Sequence, residues 1–356
     1  MSAGTVDAGR PSLLQRIDAW RLAKGTLIWI GMYVAALVIF GAFVATRSVD
    51  PIEMYRAMWN STLTGSYGPG QVLNRAAPFI LAGLAVAVPA RAGLVNIGGE
   101  GQIIIGATAA GGVALALGTS GGHVESLVLM GLAAAVAGAL WAGLAGVLKL
   151  KGNVDEAIST LLLNYVGANV LSYFVYGPWK DAAGNGQPNA KPLTEAQTLP
   201  TWSAINGHIG IIIALVVAAL VSFALARTKW GFQLRCVGGN REAARRAGLS
   251  VGLLMLSAML VGGALAGLGG MIQFSGMEGQ LRPGIAATFG YTAFLASWLA
   301  RHQPGKVVLA ALLLALIAVA GDSLQISSNL PGAAVNVLMA VVLLVVLSQR
   351  RTVKAA

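Results

Sequence analysis

Long apolar runs, separated by short polar and glycine-containing stretches, fill most of this chain. A helix that crosses a bilayer needs about 20 mostly apolar residues, and ten segments approach that length. They are residues 25–45, 76–90, 102–118, 126–148, 156–177, 208–226, 251–274, 289–300, 306–325 and 332–348. The second and eighth are short, which leaves open whether each is a simple span or a broken, re-entrant helix. The pattern predicts an all-α integral membrane protein with about ten transmembrane helices, forming one domain over residues 25–348 between tails of residues 1–24 and 349–356.

Composition supports a membrane protein and gives no sign of an enzyme. Hydrophobic residues make up 56% of the chain and charged residues 10%, whereas a soluble domain carries roughly 25% charged residues. The first apolar run exceeds the about 7–15 residues of a cleaved signal core, so we expect it to be retained as a span. The single cysteine and three scattered histidines form no metal-binding spacing. The Gly-Lys pair in "QPGKVV" lacks the rest of a phosphate-binding loop. We therefore expect no catalytic residue, metal site or cofactor in this chain.

The basic residues are distributed between the apolar runs rather than gathered in one patch. The chain has 24 Lys and Arg against 13 Asp and Glu, and a nucleic-acid-binding protein would cluster such an excess. We therefore expect membrane lipid as a partner and no nucleic acid. With ten spans and a cytoplasmic N-terminus, 18 of the basic residues fall in inside segments and 6 in outside segments. Because cytoplasmic loops are enriched in Lys and Arg, this bias predicts that both termini are cytoplasmic.

A short phrase occurs twice, as "GGEGQIIIGATA" around Glu100 and Gln102 and as "GMEGQLRPGIAA" around Glu278 and Gln280. The first lies between spans two and three and the second between spans seven and eight. A repeat of five helices inverts its orientation, so the phrase predicts two inverted five-helix repeats, an arrangement common in transporters. Three interpretations of Glu100 stay open, namely a cap on a helix beginning at Gln102, an ion pair with Arg91, or contact with a transported solute.

Span five carries a polar face formed by Glu156, Thr160 and Asn164 at a spacing of four residues. Such side chains either line a pathway or hold neighbouring helices together, and the spacing does not decide between the two; Asp322, Gln325 and Asn336 near the last spans pose the same question. Small residues at Gly138, Ala142 and Gly146 and at Gly263, Gly267 and Gly270 predict close helix packing.

The longest inside loop, residues 227–250, contains a short helical pattern. Asn240 suits an N-cap, Glu242 the first turn and Gly248 a C-terminal stop. A helix of about two turns is marginal alone in water, so we expect it to dock against another surface. The alternative is a basic loop held by anionic lipid headgroups through its arginines.

Four stretches resemble, in order, the landmarks of one family. "RAGLVNIGGEGQIIIGA", "DEAISTLLLNYV", "GFQLRCVGGNREAARRAGLSV" and "GMEGQLRPGIAATFGYTA" are similar to permease subunits of simple-sugar and nucleoside ABC importers, most of all to the nucleoside branch. Within the third, "EAARRAG" resembles the motif by which such permeases engage their ATPases. The family's usual opening of span five is Asn-Glu-Val-Ile, and "NVDEAIST" departs from it, which leaves the register of Asp155 and Glu156 open.

The resemblance implies a type II importer permease fold in a bacterial plasma membrane. Its partners would be an ATP-binding subunit that holds ATP and Mg²⁺, an extracytoplasmic substrate-binding lipoprotein or periplasmic protein, and a second permease subunit in a heterodimer or homodimer. It assigns ATPase coupling to Arg235, Asn240, Glu242, Ala243, Ala244 and Gly248. The chemistry of polar residues in so apolar a chain, rather than the resemblance, is our reason to place Asn96, Glu100, Gln102, Thr160, Asn164, Glu278 and Gln280 on the substrate path.

The solute and the energy source have alternatives. Ribose, galactose and branched-chain amino acids are the other substrates that an ABC permease of this type would carry. An ion-coupled secondary transporter, with Glu100 and Glu278 as coupling carboxylates, is the rival from another class. A passive channel is disfavoured because it would have no use for a docking helix.

Overall fold

The computed structural model of the protein describes residues 31, 34–64, 67–184, 186–328 and 336–341. The described chain is helical almost throughout, and seven of its helices are long and apolar enough to cross a membrane. The chain divides into two compact units, of which Arg56–Asn329 is the larger. In the smaller unit the Tyr55 hydroxyl donates a hydrogen bond to the Leu37 carbonyl. All contacts described below lie within the larger unit.

The helices, in chain order, are α1 Val34–Ala45, α2 Pro51–Trp59, α3 Gly68–Ala90, α4 Gly99–Leu117, α5 His123–Gly152, α6 Glu156–Tyr176, α7 Gly210–Arg227, α8 Lys229–Gly239, α9 Arg241–Arg246, α10 Val251–Gln273, α11 Phe289–Leu299 and α12 Pro304–Ser328. Residues 336–341 are also helical. Short π-helical turns follow α2 and α10, at Asn60–Thr64 and Phe274–Glu278, and Glu195–Gln197 is a 3₁₀ turn. A two-stranded antiparallel hairpin, β1 Thr201–Trp202 and β2 Gly207–His208, is a small exception to the all-α prediction.

Helices α3, α4, α5, α6, α7, α10 and α12 match predicted spans two to seven and nine. The prediction that span two is short was wrong, because α3 runs for 23 continuous residues. Asn74 and Arg75 interrupt the apolar run in the sequence, yet both are accommodated in the helix: Asn74 donates to the Asn206 carbonyl at 3.1 Å, and Arg75 pairs with Asp322 at 2.7 Å. The polar face of span nine at Asp322 therefore holds helices together.

Span eight is short, as predicted. Helix α11 has 11 residues, which at 1.5 Å per residue gives about 16 Å, roughly half of a hydrocarbon core. Helix α1 is the described part of predicted span one. Span ten, apart from residues 336–341, and both tails lie outside the described residues, so the total of ten spans stays a prediction.

The two small-residue stripes meet in the centre of the larger unit, where α10 packs against α5, α3 and α4. A Cβ added at Gly267 would lie 2.1 Å from the Ala134 carbonyl oxygen, and one added at Gly138 would lie 2.3 Å from the Gly263 carbonyl oxygen. Only glycine permits backbones to approach so closely. The predicted role of both stripes in helix packing is confirmed.

Helix ends gather at two opposite sites. At the first, which we call the α9 end, the residues after α3 contact α8, α9 and the segment after α11. At the second, which we call the loop end, residues 178–184 and 186–207 cover the last turns of α4 and α10. There Gln197 donates to the carbonyls of Ala114 and Gly118 at 2.8 and 2.9 Å, and the Leu199 amide donates to the Ser275 carbonyl at 3.0 Å.

Candidate functional site

The polar face of α6 binds the irregular segment that precedes α4. The Thr160 hydroxyl accepts a hydrogen bond from the Ile97 amide at 3.2 Å, and the Asn164 side chain accepts from the Gly101 amide at 2.8 Å while donating to the Ile97 carbonyl at 3.1 Å. Both side chains are buried. Backbone that leaves a helix inside a membrane must find such partners. Of the two interpretations of this face, the observed bonds match the one in which it holds neighbouring elements together.

Asp155 and Glu156 divide two tasks at the start of α6. The Asp155 carboxylate caps the helix by accepting from the amides of Ala157 and Ile158 at 2.8 and 3.2 Å. Glu156 is buried inside the first turn, where it pairs with Lys149 at 2.9 Å. Asp155 is therefore the N-cap of α6, and Glu156 is the buried partner of a lysine at the end of α5.

Asn96 and Gln102 form a reciprocal amide pair on the other side of the same segment. Asn96 donates to Gln102 at 3.1 Å and to the Ala85 carbonyl at 3.0 Å, and Gln102 donates back to Asn96 at 2.9 Å. The Asn96 oxygen also accepts from the Gly98 amide at 3.0 Å. Both side chains are buried. The pair fixes the turn that leads into α4.

Glu100 lies where the N-termini of two helices meet. It belongs to the first turn of α4, and a Cβ added at Gly290, the second residue of α11, would lie only 2.0 Å from its backbone nitrogen. The backbone amide of Thr288 faces the Glu100 carboxylate. Its other oxygen is buried without a hydrogen-bond partner among the described residues. A carboxylate is favoured at helix N-termini because their partial charge is positive.

This position corrects two interpretations of Glu100. Helix α4 begins at Gly99 and not at Gln102, so Glu100 lies within the helix instead of capping it from outside. Arg91 donates to the His302 carbonyl at 3.1 Å, and the described ion pairs do not join it to Glu100.

Glu278 lies in a different local structure from Glu100. It ends the π-helical turn after α10, where it pairs with Arg282 at 2.8 Å and accepts from Gln273 at 3.1 Å. Gln280 is half-buried in the turn that follows. The equivalence inferred from the repeated phrase was therefore wrong, because one copy starts a helix and the other ends one. Glu278 is at the loop end, whereas Glu100 precedes Ala114, which contacts the loop, by 14 helical residues, or roughly 21 Å.

The predicted cap, short helix and stop around α9 are confirmed. The Asn240 side chain accepts from the Ala243 amide at 3.0 Å, and Gly248 adopts a φ of +83°, which favours glycine. Glu242 forms ion pairs with Arg245 and Arg246, and its side chain is half exposed. The short helix presents most of its surface outward, with Ala244 as its buried residue.

Helix α8 precedes α9 and was missed in the sequence, where only the α9 pattern was recognised. Thr228 caps it by accepting from the Gly231 amide at 3.2 Å, and Leu234 and Val237 bury its apolar side. Threonine followed by apolar residues at helical spacing was the available signal. Arg235, predicted as a coupling residue, lies on α8 and donates to the Leu225 carbonyl.

A direct contact joins the α8–α9 corner to the segment that leads into α4. Arg241 donates to the Gly93 carbonyl at 2.8 Å, and a Cβ added at Gly238 would lie 2.2 Å from the Arg91 carbonyl oxygen. Gly93 has a φ of +71° and starts the turn toward Asn96. Gly93 and Gly238 were not predicted as functional, and Arg241 was part of the predicted short helix without a role of its own. The Gly238–Gly239 pair before the N-cap was the signal that two backbones approach closely here.

The loop end contains a cavity of about 330 Å³, bounded by the ends of α4 and α10 and by residues 190–197. Trp179 stacks on Phe174 with ring centroids 4.2 Å apart.

His208 is fully buried in the hairpin, and this burial lowers its pKa from 6.5 to about 4.

Several known proteins resemble this chain over most of its length. The family model described as branched-chain amino acid transport system / permease component matches residues 68–347. The chain is 38% identical to the glucose ABC transporter permease protein TsgB13 of Haloferax volcanii, over 92% of this chain and 88% of that protein. It is 33% identical to the guanosine ABC transporter permease protein NupP of Bacillus subtilis, over 83% of this chain and 85% of that protein. It is 27% identical to the nucleoside ABC transporter permease protein NupB of Lactococcus lactis, over 75% of this chain and 76% of that protein.

Proposed function

The chain belongs to the branched-chain amino acid transport system permease family and is a transmembrane permease subunit of the sugar and nucleoside type of ABC importer, and from this premise we propose that it carries a nucleoside across a bacterial plasma membrane. Relatives named for guanosine and for nucleosides support this cargo. The relative named for glucose, at 38% identity, makes a simple sugar the second candidate.

The proposed architecture is ten helices in two inverted five-helix repeats, with both termini in the cytoplasm. It is supported by a correspondence between α3–α4 and α10–α11: in each, a long helix is followed by an irregular segment and then by a helix that starts beside the other repeat. The pair that meets is Glu100 and Gly290. This contact supports aligning the start of α4 with the start of α11 in the two proposed repeats, an alignment that the Glu-Gly-Gln phrase does not provide. The excess of basic residues at the α9 end favours that end as cytoplasmic.

The proposed coupling helix is α9, whose outward surface would sit in a groove of the ATP-binding subunit. The observation that carries this assignment is the pair of contacts from the α8–α9 corner to residues 91–93, through Arg241 and Gly238. A displacement of α9 would pull on this segment, which α6 also holds. It would thereby move α4 against α11. ATP-driven closure of the ATPase would in this way rock the two repeats and expose the path to alternate sides.

The remaining partners are proposed from the relatives, which are permease components of ABC transporters. A second permease subunit would complete the path, as a heterodimer or with a second copy of this chain. The extracytoplasmic substrate-binding protein would dock at the loop end, where residues 178–184 and 186–207 form the outer surface of α4 and α10. Solute selection would then occur mainly in that binding protein. ATP and Mg²⁺ would be held by the ATP-binding subunit, and this chain would hold no cofactor.

The ion-coupled alternative has weak support in the geometry. It assigns coupling to Glu100 and Glu278, yet the Glu278 charge is paired with Arg282 at 2.8 Å. Glu278 lies at the loop end, whereas Glu100 lies in the first turn of α4, at the other end of that helix. Two carboxylates that share an ion would have to lie close enough to coordinate it together.

The coupling proposal is tested with Glu242→Lys in the assembled importer, reconstituted in liposomes. The half-exposed side chain lies on the outward surface, so reversing its charge should abolish uptake and substrate-stimulated ATP hydrolysis while leaving membrane insertion normal. Glu242→Gln is the matched control, because it removes the same ion pairs with Arg245 and Arg246 without adding a positive charge. Normal stimulation of ATP hydrolysis by Glu242→Lys would refute docking at α9.

The cargo is tested separately. The cognate substrate-binding protein is titrated with guanosine, adenosine, ribose and glucose by calorimetry, and the same solutes are used in uptake assays. Binding and uptake of nucleosides alone would support the proposal. Binding of glucose without nucleosides would replace it with the sugar alternative and leave the coupling assignment intact.

A further inference from the structure

A second cavity, of about 600 Å³, opens at the α9 end between the last turn of α7, α8 and the first turn of α12. Three cationic side chains line it, from Arg91, Arg235 and Lys306, and its described lining contains no acidic residue. Three like charges around one opening repel each other unless an anion lies between them. The cavity therefore has the electrostatic character of an anion site.

The protein itself does not neutralise these charges. Arg91 and Arg235 donate to the backbone carbonyls of His302 and Leu225, and none of the three cations takes part in the ion pairs of the described residues. The Nε of Arg91 is buried without a hydrogen-bond partner among those residues. Burial lowers the pKa of Arg91, and the positive charge of Arg235 lowers it further. An anion in the cavity would relieve both effects.

The lining of the cavity also includes apolar residues. Among them are Leu225 and Ala226 at the end of α7 and Leu309 on α12. Leu309 is 68% exposed, and it lies five residues into a helix that is apolar enough to span a membrane, or about 7.5 Å beyond the helix start. Leu309 thus lies one turn farther into the spanning helix than Lys306, which belongs to the first turn of α12. Free phosphate, or an acidic side chain from the cytoplasm, would contact the three cations and leave the apolar lining residues uncovered.

We propose that this cavity binds an anionic phospholipid, with its phosphate between Arg91, Arg235 and Lys306 and an acyl chain along Leu309 and Ala226. Basic pockets between membrane helices are suited to such headgroups. Because Arg235 lies on α8, one turn before the corner that Arg241 and Gly238 attach to residues 91–93, a bound lipid would also fix the position of that corner. The inference depends on the membrane-spanning fold and not on the nature of the transported solute.

The test uses the full chain, purified in a mild detergent and freed of lipid. Native mass spectrometry measures binding of dioleoylphosphatidylglycerol, with dioleoylphosphatidylcholine, dioleoylglycerol and inorganic phosphate as the other probes. Phosphatidylglycerol should bind most tightly, and Lys306→Gln and Arg91→Gln should each weaken it about fivefold, the effect of one basic residue on anionic lipid binding. Lys151→Gln, which removes an exposed charge at the end of α5, should leave binding unchanged, and Lys306→Arg should preserve it.

Four outcomes would overturn the proposal. Equal weakening by Lys151→Gln would show non-specific attraction, and equal binding of phosphatidylcholine would show that the charge of the lipid is irrelevant. Inorganic phosphate that binds as tightly as phosphatidylglycerol would identify a soluble anion as the ligand. Displacement of the lipid by the ATP-binding subunit would identify a protein partner. Lys306 is exposed, so its variant keeps the test informative if Arg91→Gln fails to fold.

Discussion

The approach of α4 and α11 gives a sharp prediction, because Gly290→Ala places a methyl group where no space exists. The added Cβ would lie 2.0 Å from the backbone nitrogen of Glu100 and 2.5 Å from its Cα, whereas ordinary contact begins at 3.4 Å. The two helix starts would have to separate by about 1.4 Å at the closest atom pair. Since the obstructing atoms are backbone, no side-chain rotation relieves the clash. We expect a loss of about 1–3 kcal/mol, the range for overpacked cores.

The assay measures the heat-induced unfolding midpoint of the purified chain together with uptake by the assembled importer. Gly290→Ala should lower the midpoint and impair uptake more than its stability loss explains, because it changes the contact between the proposed repeats. Gly99→Ala approaches the same contact from the other side, but its Cβ would meet Gly290 at an ordinary 3.5 Å. Gly305→Ala occupies the same second helix position in α12 and meets nothing within 4 Å. Both controls should behave like the wild type. A Gly290→Ala variant as stable and active as these controls would refute the close contact.

Two further predictions concern buried ionisable groups. Burial lowers the pKa of His208 from 6.5 to about 4, so between these pH values the unfolded chain binds a proton at this residue and the folded chain does not. The unfolding midpoint should therefore fall as the pH is lowered from 6.5 toward 4, with a loss in the free energy of unfolding on the order of 3 kcal/mol. A His208→Gln variant with the same pH dependence would contradict this. Lys149→Met leaves Glu156 buried without its partner and should lower the free energy of unfolding by about 3–5 kcal/mol. A Lys149→Met/Glu156→Gln double variant should recover part of this loss in the same thermal assay. An unchanged midpoint in the single variant would show that the ion pair is unimportant.

Hydrophobic length predicted most of the spanning helices, and it failed where polar residues enter a helix. Span two was read as short because Asn74 and Arg75 break the apolar run. The structure satisfies both through partners far along the chain, at Asn206 and Asp322, and no local pattern reveals those partners. The short helix α9, in contrast, was predictable from Asn240 and Gly248, because caps and stops are local interactions.

The repeated Glu-Gly-Gln phrase shows the limit of short matches. Glu100 begins a helix and Glu278 ends one, so the shared letters serve different structures. The contact that does join the two proposed repeats is between Glu100 and Gly290, where the sequences share no phrase. Two backbones can approach closely when only one of them has a glycine at the contact. The chain has 47 glycines, so the sequence alone does not single out Gly290 as the contact residue.

Four of the seven polar residues assigned to a substrate path have a common property that changes their interpretation. Thr160 and Asn164 bond to the main chain of residues 97–101, and Asn96 and Gln102 bond to each other beside the same segment. To bind a solute, each would have to release a buried polar partner, and leaving such a group unpaired costs several times what an ordinary hydrogen bond contributes. These side chains therefore act first as the support of the irregular segment between α3 and α4. Polar residues in such an apolar chain mark where the backbone is irregular. The irregular segment is held by α6 on one side and by Arg241 on the other, so under the proposed coupling it would pass a movement of α9 to α4.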